Sequence, residues 1–187
     1  MRNAMILLGL WVGIILTAYA VVFVGDDAPT PGQSARLEYI AAGTVVDVEG
    51  RFQFEAPPGW RVSRTEDGVH LVDPVESMEA WIVVVEDMAA PRAIRIACEW
   101  SAPCEGRGSE SFEELVPPSF AERKVKVVYE TDDEDVLVYG TGFVRRVGGT
   151  IVLLVRADRA THAARSDELA RIEDTLAVPA IGEPPLT

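Results

Sequence analysis

Histidine, cysteine and lysine are all scarce in this chain. Two histidines and two cysteines stand among 187 residues, too few for most metal-ligand sets and for nucleophile–histidine constellations to be drawn from. Lys124 and Lys126 are the only lysines. With 17 Lys+Arg against 30 Asp+Glu, the net charge is −13. Such an acid excess repels phosphate backbones and excludes a general nucleic-acid binder. Once an apolar N-terminal stretch is set aside, the length suffices for one domain with a real core. There is no internal repeat.

The long uncharged run is what the chain does have. Residues 4–24 read AMILLGLWVGIILTAYAVVFV, which as a helix covers about 30 Å, one bilayer hydrocarbon thickness. A buried core helix fits badly, because no polar face is available to turn towards water. Ala18-Tyr19-Ala20 has the small-x-small form of a signal-peptidase site. Val21-Val22-Phe23-Val24 continue the apolar run beyond it, so a retained single-pass signal-anchor is favoured over a cleaved signal peptide. No cysteine follows the run to carry a lipid. Arg2 precedes the span, which orients it N-in and places the following domain on the extracytoplasmic, periplasmic side of a bacterial cytoplasmic membrane.

The expected organisation is therefore an anchor (or signal peptide) over 1–24, a flexible linker over 25–36, an α+β domain over 37–177 and a tail over 178–187. The linker is rich in Pro, Gly and Asp. Within the domain, Val45, Val46, Val48, Phe52 and Phe54 suggest early strands, interrupted by Pro57-Pro58-Gly59. The strands on either side of Asp67-Gly68 form a tight hairpin. Ala80 to Val85 form a continuous apolar run, as in a strand covered on both faces. Ala93, Ile94, Ala97 and Cys98 have helical spacing, with Pro91 tolerable in the first turn. Val125, Val127 and Tyr129 alternate with Lys124, Lys126 and Val128, which makes one face wetter. Val136 to Val144 and Thr150 to Val155 flank Arg145-Arg146-Val147-Gly148-Gly149, a hairpin turn that exposes its arginines. Leu169, Ile172 and Leu176 mark a terminal helix, beginning near Asp158 or capped again at Ser166. Hairpins with segregated helices imply an antiparallel sheet with flanking helices.

Motifs for chemistry are sparse. Gly106-Arg107-Gly108-Ser109-Glu110 misplaces its glycines for a nucleophile elbow. His70 on a hairpin strand and His162 on a charged helix are not obvious bases, so no catalytic residue is assigned and the chain is read as non-enzymatic. Thr131-Asp132-Asp133-Glu134-Asp135 concentrates carboxylates but lacks the glycine and alternation of a calcium loop. It reads as a solvated hairpin tip. Cys98 and Cys104 have neither redox nor zinc-knuckle spacing. In an oxidising compartment a disulfide between them is the favoured pairing, worth about 2 kcal/mol in the loop-entropy model. The alternative is a small core residue and a chance loop thiol. Trp60, Trp81 and Trp100 are read as core, with a ligand pocket as the alternative. No metal or other cofactor is called for.

Phe52-Gln53-Phe54-Glu55-Ala56-Pro57-Pro58-Gly59-Trp60-Arg61-Val62 resembles the opening hairpin of the PsbP/Mog1/DcrB-like α/β-sandwich superfamily. There an f-x-P-x-G-W segment leads into a strand that ends in a d-P loop, matched by Leu71-Val72-Asp73-Pro74. A closing helix with L-x-x-I-x-x-T-L is matched from Leu169 to Leu176, so the similarity runs over 45–177. The resemblance implies a central antiparallel sheet with helices packed outside. It also implies a mostly non-enzymatic role as accessory subunit, binding module or extracytoplasmic lipoprotein; a similar module precedes a serine-hydrolase domain in some proteins. The expected function is a non-catalytic, membrane-anchored scaffold for an envelope protein partner. A small-ligand or lipid carrier, or the regulatory module of a hydrolase encoded elsewhere, is the alternative.

Overall fold

The computed structural model describes residues 38–39, 41, 44–86, 88–101, 113–131, 133, 135–145 and 148–179, all within a compact unit spanning 34–187. The apolar run over 4–24, Cys104, Ser109, Asp132, Glu134, Arg146 and the end of the tail lie outside the described residues. Among the described residues no helix is long and apolar enough to cross a membrane.

The strands are β1 (Glu38–Tyr39), β2 (Val45–Val48), β3 (Phe52–Glu55), β4 (Arg61–Thr65), β5 (Gly68–Val72), β6 (Met78–Val85), β7 (Glu113–Leu115), β8 (Arg123–Glu130), β9 (Val136–Val144) and β10 (Thr150–Asp158). The helices are α1 (Ala90–Ser101), α2 (Arg159–Ala164) and α3 (Ser166–Thr175). Eight strands form one sheet in the order β1-β4-β5-β6-β10-β9-β8-β7, with every pairing antiparallel. The expected antiparallel α+β architecture is the one observed.

Period-2 alternation divides the sheet into two buried faces. Val83, Val85, Val125, Val127, Tyr129, Val138, Val152 and Leu154 face α1, which answers with Ala90, Ala93, Ile94, Ala97 and Cys98. Gly140 and Gly142 on β9 let that helix come close: a Cβ on Gly140 would stand 2.5 Å from Ile94 Cγ2. The opposite face carries Leu71, Met78, Ala80, Ile82, Phe143, Ile151, Leu153 and Val155, covered by Leu169, Ile172 and Leu176. Beside them lies the β2-β3 hairpin, a separate two-stranded sheet that contributes Val46, Val48, Phe52 and Phe54. Local residue pattern offers no reason to separate this hairpin from the main sheet. Ala177 joins it through reciprocal 2.8 Å backbone bonds with Gln53.

Several local expectations need correction. The β4–β5 loop is Glu66-Asp67, and Gly68 is the first residue of β5, opposite Thr65. A Cβ there would overlap the Ile82 carbonyl, so this glycine serves strand packing and not the turn. Asp158 caps α2, its carboxylate accepting from the Thr161 amide and hydroxyl; Ser166 opens α3 instead of capping it, the cap position being Arg165. Arg145 is half-buried, with Nε donating to the Gly149 carbonyl, and burial pushes its guanidinium down from the ordinary value.

Candidate functional site

β8 alternates so that Lys124, Lys126 and Val128 share the face that α3 covers. Their cross-strand partners on β9 are Phe143, Thr141 and Tyr139, and Thr141 and Tyr139 sit opposite Leu153 and Val155 of β10. α2 and α3 come down over this corner. Between them and the sheet is a cavity of about 200 Å³, lined by Lys126, Tyr139, Thr141, Leu153, Val155, His162, Ser166, Leu169, Ala170 and Glu173. The face that looked merely wetter in sequence is the floor of a half-covered polar site.

The chain's two lysines have different surroundings. Lys124 Nζ lies 2.6 Å from Glu173 Oε2 and 5.4 Å from the Phe143 ring centre. The other Glu173 oxygen accepts from Thr141 Oγ1 at 3.3 Å. Lys126 Nζ stands 5.9 Å from the Tyr139 ring centre, a favourable cation–aromatic placement. On its other side Glu113 of β7 stands directly opposite it, so two opposite charges share this face of the sheet edge. Tyr139 and His162 stack with centroids 3.6 Å apart and planes 20° from parallel. Burial raises the Tyr139 hydroxyl, with Arg159 opposing and Asp158 adding. Burial, then the Lys126 charge, lowers His162, with Glu173 opposing. Near neutral pH the site therefore presents a neutral imidazole stacked on a protonated phenol.

Two other polar groupings are already saturated. Asp73 is fully buried; it accepts from the Ser77 and Met78 amides at 2.6 and 3.0 Å, from Ser77 Oγ at 3.0 Å and from Arg165 at 3.3 Å. Arg165 also donates to Glu168 at 2.6 Å, and Glu168 accepts from Trp60 Nε1 at 2.6 Å. This network fixes the fold. A cleft of about 170 Å³ lies between the β5–β6 turn and the β9–β10 ends, lined in part by Glu79, Arg156 and Asp158. There Glu79 is shared between His70 at 3.0 Å and Arg156 at 3.7 Å, and His70 stacks on Trp81 at 4.7 Å.

Trp60 is core, as expected, and Trp81 is half-buried, but Trp100 is 52% exposed at the last turn of α1, so its core placement is corrected. Cys98 faces the sheet from the same helix. Among the described residues no group of three or more His, Cys, Asp or Glu could hold a metal ion. The sequence reading missed Lys126, Tyr139, His162 and Glu173 as a group. The signal that could have found them is the placement of both lysines two residues apart, on one strand of a strongly acidic chain.

No protein-family model matches the chain, and no curated protein matches its sequence. Among solved structures, cyanobacterial PsbP (CyanoP) from Synechocystis sp. PCC 6803 is similar with a TM-score of 0.46 at 12% identity, over 82% of this chain and 98% of that one. The Saccharomyces cerevisiae Ran-binding protein Mog1p gives 0.46 at 10%, over 78% and 96%. LpqN, involved in cell envelope biogenesis of Mycobacterium tuberculosis, gives 0.31 at 14%, over 80% and 87%. Two of these bear the names of the superfamily that the sequence resembles. At such TM-scores and identities the likeness concerns the fold and carries no argument about activity or partner.

Proposed function

We propose that this chain is a non-catalytic binding module, tethered by residues 4–24 on the outer side of a bacterial membrane, where it takes an envelope protein as partner. The observation that carries the partner reading is the outward half of α1. Its inner half is filled by the sheet, yet Trp100 remains 52% exposed, with Arg92, Arg95 and Glu99 exposed on the same outward side. Tryptophan and arginine dominate the binding energy of protein interfaces. Covering the open half of this indole, about 100 Å², would contribute roughly 2–3 kcal/mol. Cys98 is 3% exposed and is not a free thiol, which supports the expected bridge to Cys104. Such a bridge would hold the helix end that presents Trp100, and it belongs to an oxidising compartment.

The test uses the full chain in native membranes, with a benzophenone amino acid at position 100 and, as control, at the exposed Glu130. A discrete cross-linked product is expected from position 100 alone, lost in Arg92→Glu/Arg95→Glu. No product, or the same product from both positions, overturns the partner reading. The intact mass of the same preparation, alkylated without reduction, should be full length with no alkyl group. Two alkyl groups would overturn the outer placement, and a chain cut after Ala20 would replace the tether with secretion.

A second reading, a small-ligand carrier, is favoured by the cavity beneath α2 and α3, whose lining mixes polar and apolar side chains.

A further inference from the structure

The short helix α2 has little to hold it in place. Arg159, Ala160, Ala163 and Ala164 are exposed, and none of its six residues is fully buried. A helix shorter than ~12 residues does not persist on its own hydrogen bonds. Of its two half-buried residues, Thr161 is turned back on Asp158, which its amide and hydroxyl reach at 2.8 and 2.6 Å. His162 is the other, and through it alone α2 lines the cavity of about 200 Å³. Its ring lies on Tyr139 with centroids 3.6 Å apart. The docking of α2 on the sheet is therefore concentrated in one ring-on-ring contact.

The groups around that ring make it a poor place for a positive charge. The cavity walls include Tyr139 and the apolar Leu153, Val155 and Leu169, so taking up a proton there costs desolvation. From β8, Lys126 adds repulsion, tempered by Glu113, which stands opposite it on β7. From α3, Glu173 favours the proton, but its two oxygens are already engaged, by Lys124 and by Thr141. The Tyr139 face would attract a cation, yet Lys126 Nζ already stands 5.9 Å from the ring centre. At the start of α2, Asp158 and Arg159 carry opposite charges. Asp158 is held ionised by its bonds from Thr161, and Arg165 is held charged by Glu168. The Tyr139 hydroxyl, raised by burial, keeps its proton. The outcome at His162 is a value below the ordinary 6.5, with burial the first cause and Lys126 the second.

We propose that α2 is a lid on this cavity, latched by the stack of His162 on Tyr139 while the imidazole is neutral and released when it takes up a proton. Released, the ring regains water and leaves Lys126, so the open lid binds the proton more tightly than the closed one. By linkage the closed form is fully favoured above pH ~6.5. It loses ground as pH falls through 6.5 towards the closed-state value, below which opening grows no further. α3 stays seated, because Leu169 and Ile172 lie in the core and Arg165 ties its first turn to Asp73. Opening therefore removes the His162 wall and widens the way to the Leu153 and Val155 floor. The inference goes beyond the protein-partner reading and is independent of it, since α1 lies on the other face of the sheet.

Native-state hydrogen exchange of the full chain in detergent tests the lid, read as protection factors so that the pH dependence of intrinsic exchange cancels. The α2 reporter is the Arg165 amide, which donates to the Thr161 carbonyl; the α3 reporter is the Leu176 amide, which donates to that of Ile172. Arg165 should be the less protected of the two and insensitive to low urea, as a local opening requires. From about pH 7.5 to about 5.5 its protection should fall at least about threefold. His162→Phe, which keeps a stacked ring with no proton to gain, should show no such fall. Unchanged protection in the native chain, or the same fall in His162→Phe, overturns the proposal. So does Arg165 exchange that rises with urea as steeply as that of Leu176, since α2 would then open only by global unfolding. If His162→Phe does not fold, the NMR titration of the His162 ring in the native chain decides. Its midpoint should lie below 6.5 and coincide with the loss of Arg165 protection; a ring titrating at or above 6.5, or apart from that loss, overturns the proposal equally.

Discussion

Placing one methyl group on Gly140 should cost stability, against the ordinary trend for glycine in a strand. In most strands Gly→Ala is neutral or helpful, because it restricts the unfolded chain by ~0.4–1 kcal/mol and adds packing. Here the new Cβ would lie 2.5 Å from Ile94 Cγ2 and 3.4 Å from Leu154 Cδ2, whereas carbon pairs prefer ~3.5–4.0 Å. Ile94 is fully buried and β-branched in a helix, where one χ1 rotamer dominates. It cannot swing aside, so α1 must lift from the sheet or the side chain must leave its rotamer. Overpacking of this kind costs about 1–3 kcal/mol. Less the entropic gain, the net loss is about 1–2 kcal/mol, a fall in Tm of several degrees for a domain this size. Urea unfolding of the full chain in detergent, followed by tryptophan fluorescence, measures it. Ile94→Ala alone should cost about 2–5 kcal/mol through its cavity. In the double variant the added methyl enters the freed space, so the combined loss should fall short of the sum by at least ~1 kcal/mol. A neutral or stabilising Gly140→Ala, or losses that simply add, would refute the close-approach argument.

Two further outcomes follow from other parts of the fold. Asp73→Ala leaves the Ser77 amide, the buried Met78 amide and Arg165 without their acceptor and should cost about 3–5 kcal/mol in urea unfolding. Asp73→Asn keeps one acceptor oxygen and should cost clearly less; equal losses would show that the turn does not depend on these bonds. His162, lowered from its ordinary 6.5 chiefly by burial, binds its proton more weakly when folded than when unfolded. Its contribution to stability is therefore complete above pH ~6.5 and declines as pH falls through 6.5 towards the folded value, below which the loss stops growing. Urea midpoints measured stepwise below pH 7 should show that slope in the native chain and a shallower one in His162→Phe; identical slopes would refute the assignment.

The sequence was most legible where burial alone decides a residue's type. Val125, Val127 and Tyr129 are buried on β8, and Ala93, Ile94, Ala97 and Cys98 on α1, because alternation and helical spacing follow directly from backbone geometry. Legibility ended where long-range pairing decides. Nothing in Val45-Val46-Asp47-Val48 shows that it pairs only with β3, apart from the main sheet. Asp67-Gly68 carries a turn signature, yet the glycine is required by the Ile82 carbonyl of the neighbouring strand, which local sequence does not reveal. Arg145 looked solvated because it sits in a turn, and Trp100 looked buried because it is large; each is decided by what else folds over it. The candidate site was the least legible part. Lys126, Tyr139 and His162 belong to three elements and meet only once the β8–β9 register and the descent of α2 are fixed.

The residues that carry the family resemblance explain why it points to a fold and not to a ligand. Trp60 is fully buried and donates to Glu168; Asp73 binds Arg165; Leu169 and Ile172 close over the sheet. All of them act to hold α3 in place, by its N-terminal turn and its inner stripe. Replacing any one opens the core or strands a buried polar group, so these positions are constrained by stability whatever the protein binds. The cavity uses the same helix but other residues, Ser166, Ala170 and Glu173, together with Lys126 and His162 from neighbouring elements. Lys126 and His162 are half-buried and touch neither the Trp60–Glu168 bond nor the Asp73 turn. Lys126 could become leucine at small cost to the fold while changing the polarity of the cavity lining. A motif set by the cost of opening the core is thus blind to the side chains that choose the ligand.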